Sequence, residues 1–419
     1  MKVDKKELHK KWEFSRRDFF KYTGILTGLY CTGHWFGEAT PYALAQERSR
    51  VVVVKDNLST NWNGSSIWFG SNTFVNQGRV NELVKQGVIS LTGQPTELDA
   101  WTSLLPTVSG TTKIGIKVNG NNFEAGTGNN VIDWTPQVVN AVIAGLRVRG
   151  FSEANIYILE PSSGRTTAYC GVVTGLYPNV KIYGNGWQSL PYLASTYTST
   201  DSSLSIVHSD TGISAPSKYP DQLLDIDYLI QMPQLKAHGY TGVTFTYKNL
   251  VGYLVRPTIG RLHDHMMQSS NNPLVDLYAN NHIVNKTKLI IGDGIYGNNY
   301  NNWSVPTKWS VFGNDWPKRL FFSTDPVAID CVMYDFVNWQ NPRSAQHENY
   351  LLDAVARGQG TRDHWNNPSE KKYSLIDFVQ IDLNKVNRVE MDRKISDFKK
   401  GVATEGEVKE LINTYMRGL

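Results

Sequence analysis

The stretch Lys113–Asn119, KIGIKVN, followed by Thr135–Leu146, TPQVVNAVIAGL, and Asn155–Glu160, NIYILE, decides the fold. KIGIKVN is a short apolar run of the kind found in strands buried on both faces. Thr135 is a favoured N-cap, and Pro136 suits the first helical position, where no N–H is required. Val138, Val139, Val142, Ile143 and Leu146 then supply an apolar helix face. After the turn at Gly150, NIYILE reads as the next strand. Strand, helix and strand at this spacing make a βαβ unit with a parallel sheet, whose ligands bind beyond the carboxyl ends of the strands. Lys117, Asn119 and Glu160 stand at those ends.

The same alternation continues outward on both sides. Val51–Val54 is a β-branched run for a buried strand, and Val80, Leu83, Val84 and Val88 recur at helical spacing. Further on, Ile226–Met232 reads as a strand, Pro273–Val284 as a helix, Lys288–Ile291 as a strand ending at Gly292-Asp293-Gly294, and Leu320–Phe322 as a short strand. Asp325-Pro326 opens a helix carrying Val327, Ile329, Val332 and Phe336. Near the end, Thr404 and Glu407 form a capping box ahead of Val408, Leu411, Ile412 and Tyr415. The expectation is an α/β fold: a mostly parallel mixed sheet covered by helices, one large interleaved domain over residues 46–380, with a C-terminal helical extension at 381–419.

Residues 1–45 read differently. A lysine-rich start precedes Ser15-Arg16-Arg17-Asp18-Phe19-Phe20-Lys21, a modestly apolar segment and Ala43-Leu44-Ala45. This resembles a twin-arginine export signal, which implies the twin-arginine translocon as a partner during export and a periplasmic or extracellular destination. That segment holds eight Lys/Arg against five Asp/Glu, which leaves 34 against 33 of the chain's 42 and 38. A near-neutral body argues against nucleic acid as the main partner. No stretch beyond residue 45 is long and apolar enough to predict a stable membrane span. Of the three cysteines, Cys31 falls in the export segment, so Cys170 and Cys331 cannot supply a four-cysteine iron–sulfur cluster. They are candidates for a disulfide in an oxidising compartment.

Chemistry concentrates in residues 231–265, QMPQLKAHGYTGVTFTYKNLVGYLVRPTIGRLHDH. Lys236 and His238 are two apart, so on a strand they share a face. Lys248 and Asn249, followed by Gly252, bring a second ammonium and an amide to a turn, and Arg256 and Arg261 add charge. Such a cluster suits a phosphate or carboxylate, with His238 transferring a proton near neutral pH. The bland reading is solvated lysines and a hydrogen-bonded histidine. His263 and His265 share a face if they lie on a strand and could ligate zinc, nickel or iron; on a helix they diverge. Asp293 between glycines is either a ligand or general base, or a turn residue. Asp325 reads more strongly as a helix cap than as a ligand. His364-Trp365-Asn366-Asn367 has the composition of a sugar-stacking or site-clamping loop.

Taken together, IGIKVN at 114–119, TPQVVNAVIAGL at 135–146, PQLKAHGYTGVTFTYKNLVG at 233–252, RLH at 261–263, LIIGDGIYG at 289–297 and STDPVAID at 323–330 resemble the DUF362 family, a domain of unknown function. The resemblance implies a fold and a site, not a reaction. It raises Lys236, His238 and Lys248 as catalytic candidates, Lys117, Asn119, Asn249 and Arg261 as ligand-binding residues, and His263 with Asp293 as holders of a transition metal. The leading expectation is an enzyme acting on a small anionic compound with metal assistance. The alternatives are a non-catalytic periplasmic binding protein for a metal ion or organic anion, and a structural or sugar-binding surface protein.

Overall fold

Val51–Val54 are fully buried because their strand lies between two others, with residues alternating between two cores. In the computed structural model the strands are β1 (Ser49–Lys55), β2 (Ile114–Lys117), β3 (Ile156–Glu160), β4 (Lys181–Gly184), β5 (Leu193–Ala194), β6 (Ser205–Ile206), β7 (Ser217–Lys218), β8 (Tyr228–Gln231), β9 (Gln234–His238), β10 (Gly242–Val243), β11 (Thr287–Asn298), β12 (Arg319–Ser323) and β13 (Ile376–Asp382). The structure describes residues 48–65, 74–120, 132–160, 167–184, 193–255, 259–300, 305–385 and 395–409. Residues 1–45, expected to be an export signal, Arg256 and most of the GNNFEAGTGNN loop lie outside these residues.

Eleven of these strands form one mixed sheet in the order β13-β1-β12-β11-β8-β2-β3-β4-β5, with β9 beside β11 and β10 beside β9. Pairing is mostly parallel; β12 runs antiparallel to both β1 and β11, and β10 to β9. The expected βαβ unit is present, with β2 and β3 joined through the helix Pro136–Arg149. Helices cover both faces. Gln77–Thr92, Glu97–Leu104 and Pro136–Arg149 contribute to one core, and Pro273–Tyr278, Pro326–Gln340 and Asn349–Ala356 to the other. Gly145 permits the close packing of Pro136–Arg149, since a Cβ there would lie 2.3 Å from the Trp101 indole.

Several local expectations change. The helix expected over Pro273–Val284 is two, Pro273–Tyr278 and Asn281–Lys286, because Asn280 caps the second by accepting from His282 N–H. The strand expected to end at Ile291 runs on to Asn298, so Asp293 is a buried strand residue and not a turn. The proposed disulfide is not formed. Cys170 and Cys331, neither of them in a disulfide, are buried in the two different cores, on opposite sides of the sheet. The capping box of Thr404 and Glu407 forms as expected. Among the described residues, no helix is long and apolar enough to cross a membrane.

Candidate functional site

β9 places Lys236 and His238 on one face, and both are buried, at 1% and 4% exposure. After β10 the chain turns into the short helix Thr246–Asn249, which returns Lys248 to them. Asp330 fixes that turn. Its carboxyl accepts from Thr246 N–H at 2.9 Å and Tyr247 N–H at 3.5 Å, and from the Tyr350 hydroxyl at 3.0 Å. Burial pushes Asp330 up to about 7 despite these bonds.

Lys248 Nζ and His263 Nε2 share a hydrogen bond of 3.1 Å, and the His263 ring stacks on His238 with centroids 5.7 Å apart. Burial, then repulsion from Lys236, lowers Lys248 to about 7, so the amine exchanges its proton near neutral pH. His238 Nδ1 accepts both Tyr240 N–H at 3.0 Å and Thr241 N–H at 3.3 Å. Its ring proton therefore sits on Nε2. Burial, followed by Lys248, His263 and Lys236, drives His238 far below its usual range. The ring is a neutral hydrogen-bond donor. Tyr240, 62% exposed, lies with its ring 5.2 Å from that of His263 and leads from the cluster to solvent.

The second half of the site is an amide clasp at the end of β2. Asn249 Oδ1 accepts from Lys117 Nζ at 3.5 Å and Asn119 Nδ2 at 3.3 Å, while Asn249 Nδ2 donates to the Lys117 carbonyl at 3.2 Å. Lys117 Nζ also donates to the Val118 carbonyl at 2.6 Å. Lys117, Asn119, Asn249, Lys248, Lys236, His238 and His263 are thus gathered by contacts across four segments. Arg261 is exposed on the short helix Ile259–Leu262, and the Glu160 side chain lies outside the described residues.

His263, Asp264 and His265 form a 3-10 turn, not a strand, so the two imidazoles diverge. His263 meets Lys248, whereas His265 Nδ1 pairs with Asp210 Oδ2 at 2.5 Å. Asp293 is engaged at the start of the helix Pro136–Arg149. Its carboxylate accepts from Thr135 N–H at 2.8 Å and Ile295 N–H at 3.2 Å, and burial raises it to about 6. Thr135 holds the expected N-cap position. The Thr135 side chain makes no cap bond, and a carboxylate 158 residues away sits at the helix N-terminus instead.

Asp325 caps Pro326–Gln340, accepting from Val327 and Ala328 N–H, and also takes the Ser49 hydroxyl and Thr361 N–H. His364 and Trp365 sit away from the lysine cluster. His364 Nδ1 lies 2.7 Å from Asp335 Oδ1 and Nε2 lies 2.7 Å from Glu348 Oε2, while Trp365 packs edge-on against Phe336. Sequence reasoning missed Asp330. The available signal was an acid amid the apolar residues of STDPVAID, a position that burial tolerates only with hydrogen-bond donors.

The fold and this cluster define an α/β protein that gathers lysines, histidines and amides near the carboxyl ends of its parallel strands. The family model described as Domain of unknown function (DUF362) matches residues 114–335, and the chain belongs to that family. No curated protein matches it. Two pairs of the motifs noted above are joined through buried carboxylates: LIIGDGIYG to TPQVV by Asp293, and STDPVAID to TFTYKN by Asp330.

Proposed function

We propose that this is an exported protein, carried through the twin-arginine pathway, whose lysine–histidine cluster binds a small carboxylate- or phosphate-bearing compound and acts on it by acid/base catalysis. The observation that carries this reading is Lys248, a fully buried amine lowered to about 7 and set 3.1 Å from an imidazole nitrogen. An amine titrating near the working pH is suited to moving a proton to or from substrate. Lys236, Lys117 and the Nε2–H of His238 supply charge and directed hydrogen bonds to the anion. Asn119 and Asn249 hold Lys117 in place. Arg261, exposed nearby in sequence, attracts the anion from solvent. Asp293 and Asp330 are positioning residues, and no step is routed through a metal.

The test is a panel of phosphate, sulfate and mono- and dicarboxylates, followed by calorimetry at pH 6 and pH 8. An anion that binds with proton uptake at pH 8, and whose binding is lost in Lys248→Met, supports the site. Chemical change in that anion after incubation makes the protein an enzyme. Recovery of the anion unaltered, after tight saturable binding, makes it a periplasmic binding protein. Binding unchanged in Lys236→Met, Lys248→Met and His238→Ala alike would reject the assignment.

A further inference from the structure

Over the β13–β1–β12 end of the sheet lies a cavity of ≈ 420 Å³, within the rough range of 300–1,000 Å³ typical of small-molecule sites. Its floor is Arg319, only 4% exposed. The guanidinium carbon lies 3.9 Å from the Phe312 ring centroid and 4.9 Å from that of Phe336, so the group packs against two aromatic rings. Arg319 Nε donates to the Pro317 carbonyl at 2.8 Å. Its terminal nitrogens donate to no described residue, and no described carboxylate pairs with it. A guanidinium carries five donors, and those of the terminal nitrogens open onto the cavity, where solvent or a bound anion can meet them.

Across the cavity, the Lys371 ammonium sits 4.8 Å over Trp339. Lys371 has φ of 49°, an uncommon conformation for a non-glycine residue. The nearby acids are already engaged, Asp315 with Lys318 at 2.6 Å and Asp382 with Lys55 at 3.6 Å. Two cations therefore face one space; burial and then Arg319 lower Lys371, while Asp382 favours the charge of Arg319. The remaining lining mixes aromatic surface with the amides of Asn57 and Gln380 and with Lys55 and Asp315. Flat apolar faces beside amides suit a ring that bears hydroxyls, and the cations call for an acid group on it.

We propose that this cavity is a second binding site, for an acidic saccharide whose carboxylate lies between Arg319 and Lys371 and whose ring rests on Trp339. It is independent of the lysine–histidine cluster.

Calorimetric titration of the full chain with glucuronate, glucose and acetate tests it. Glucuronate should bind saturably, and glucose and acetate each about tenfold more weakly or worse, on the scale of one charge-assisted hydrogen bond or one stacked ring. Lys371→Ala and Trp339→Ala, on the cavity wall, should each weaken glucuronate about tenfold, while Lys371→Arg retains it. Lys248→Met should leave glucuronate binding unchanged. Equal binding by wild type, Lys371→Ala and Trp339→Ala would overturn the proposal. So would acetate binding as tightly as glucuronate, which would mean a bare anion site, or loss of the signal in Lys248→Met, which would assign it to the other cluster.

Discussion

His238 and His364 are both largely buried, yet their surroundings drive them to opposite states. His238 faces Lys236, Lys248 and His263, which together with burial hold it neutral. His364 lies between Asp335 and Glu348; against the cost of burial, Asp335, Cys331 and Glu348 together raise it to about 12. The His364 region is electrostatically complete: Asp335 also accepts from Trp365 N–H and the Tyr373 hydroxyl, and Glu348 from Arg362. Around His238 and Lys248, charges of one sign are brought together and pay for it in lowered proton affinity. Burial alone does not mark a functional residue. What separates the two regions is whether the charges around the histidine cancel, and an uncancelled cluster is where an added anion gains most.

The largest expected effect tests the completed region. His364→Ala leaves two carboxylates without their imidazolium and should cost about 3–5 kcal/mol, as breaking a buried pair usually does, measured by denaturant unfolding at pH 6. The sign of the pH dependence follows from the raised value. His364 contributes its full stabilisation below its unfolded value near 6.5 and loses it as pH rises towards 12. Wild type should therefore lose more stability than His364→Gln between pH 7 and pH 10. Equal losses would break the comparison.

Lys248 should show the opposite slope. Its folded value is lowered from 10.5 to about 7, so between these limits the unfolded chain binds more protons. Its contribution to stability then rises with pH across that window. Lys248→Met, which removes a buried amine repelled by Lys236, should raise stability at pH 7 and flatten that slope, as read from unfolding curves at pH 7 and 10. Destabilisation by this substitution would mean that the amine is already compensated.

A smaller effect belongs to Asp293, which joins β11 to the helix Pro136–Arg149. Asp293→Asn keeps an acceptor for only one of the Thr135 and Ile295 amides, sets an NH2 donor against the other and removes the charge at the helix end. It should cost roughly 1–2 kcal/mol, with binding at the lysine cluster retained. Loss of anion binding with full stability would instead place Asp293 among the reacting groups. The smallest effect is at the exposed capping box: Thr404→Ala should cost about 1 kcal/mol or less of local helix stability, visible as faster amide exchange at Glu407.

Some of this was legible in residue order alone. Hydrophobic period and turn chemistry located the buried strands and the βαβ unit, because burial on one or two faces writes itself into neighbouring positions. The same logic put Lys236 and His238 on one strand face. It failed at Asp293, where flanking glycines imitate a turn, although here they allow close packing inside a long strand against Met333 and Phe321. It failed again at His263 and His265, since three residues are too few for a period to separate a strand from a 3-10 turn.

The sequence by itself determined the alternation of strands and helices, the family motifs and the identity of the charged residues, because these are local properties of the chain. Only the tertiary structure decided that Asp293 caps a helix 158 residues away, that Asp330 holds the turn bearing Lys248, and that His364 meets acids while His238 meets bases. Each depends on groups far apart in the chain meeting where water is excluded. There, partner and dielectric, not residue type, set the charge that a side chain carries.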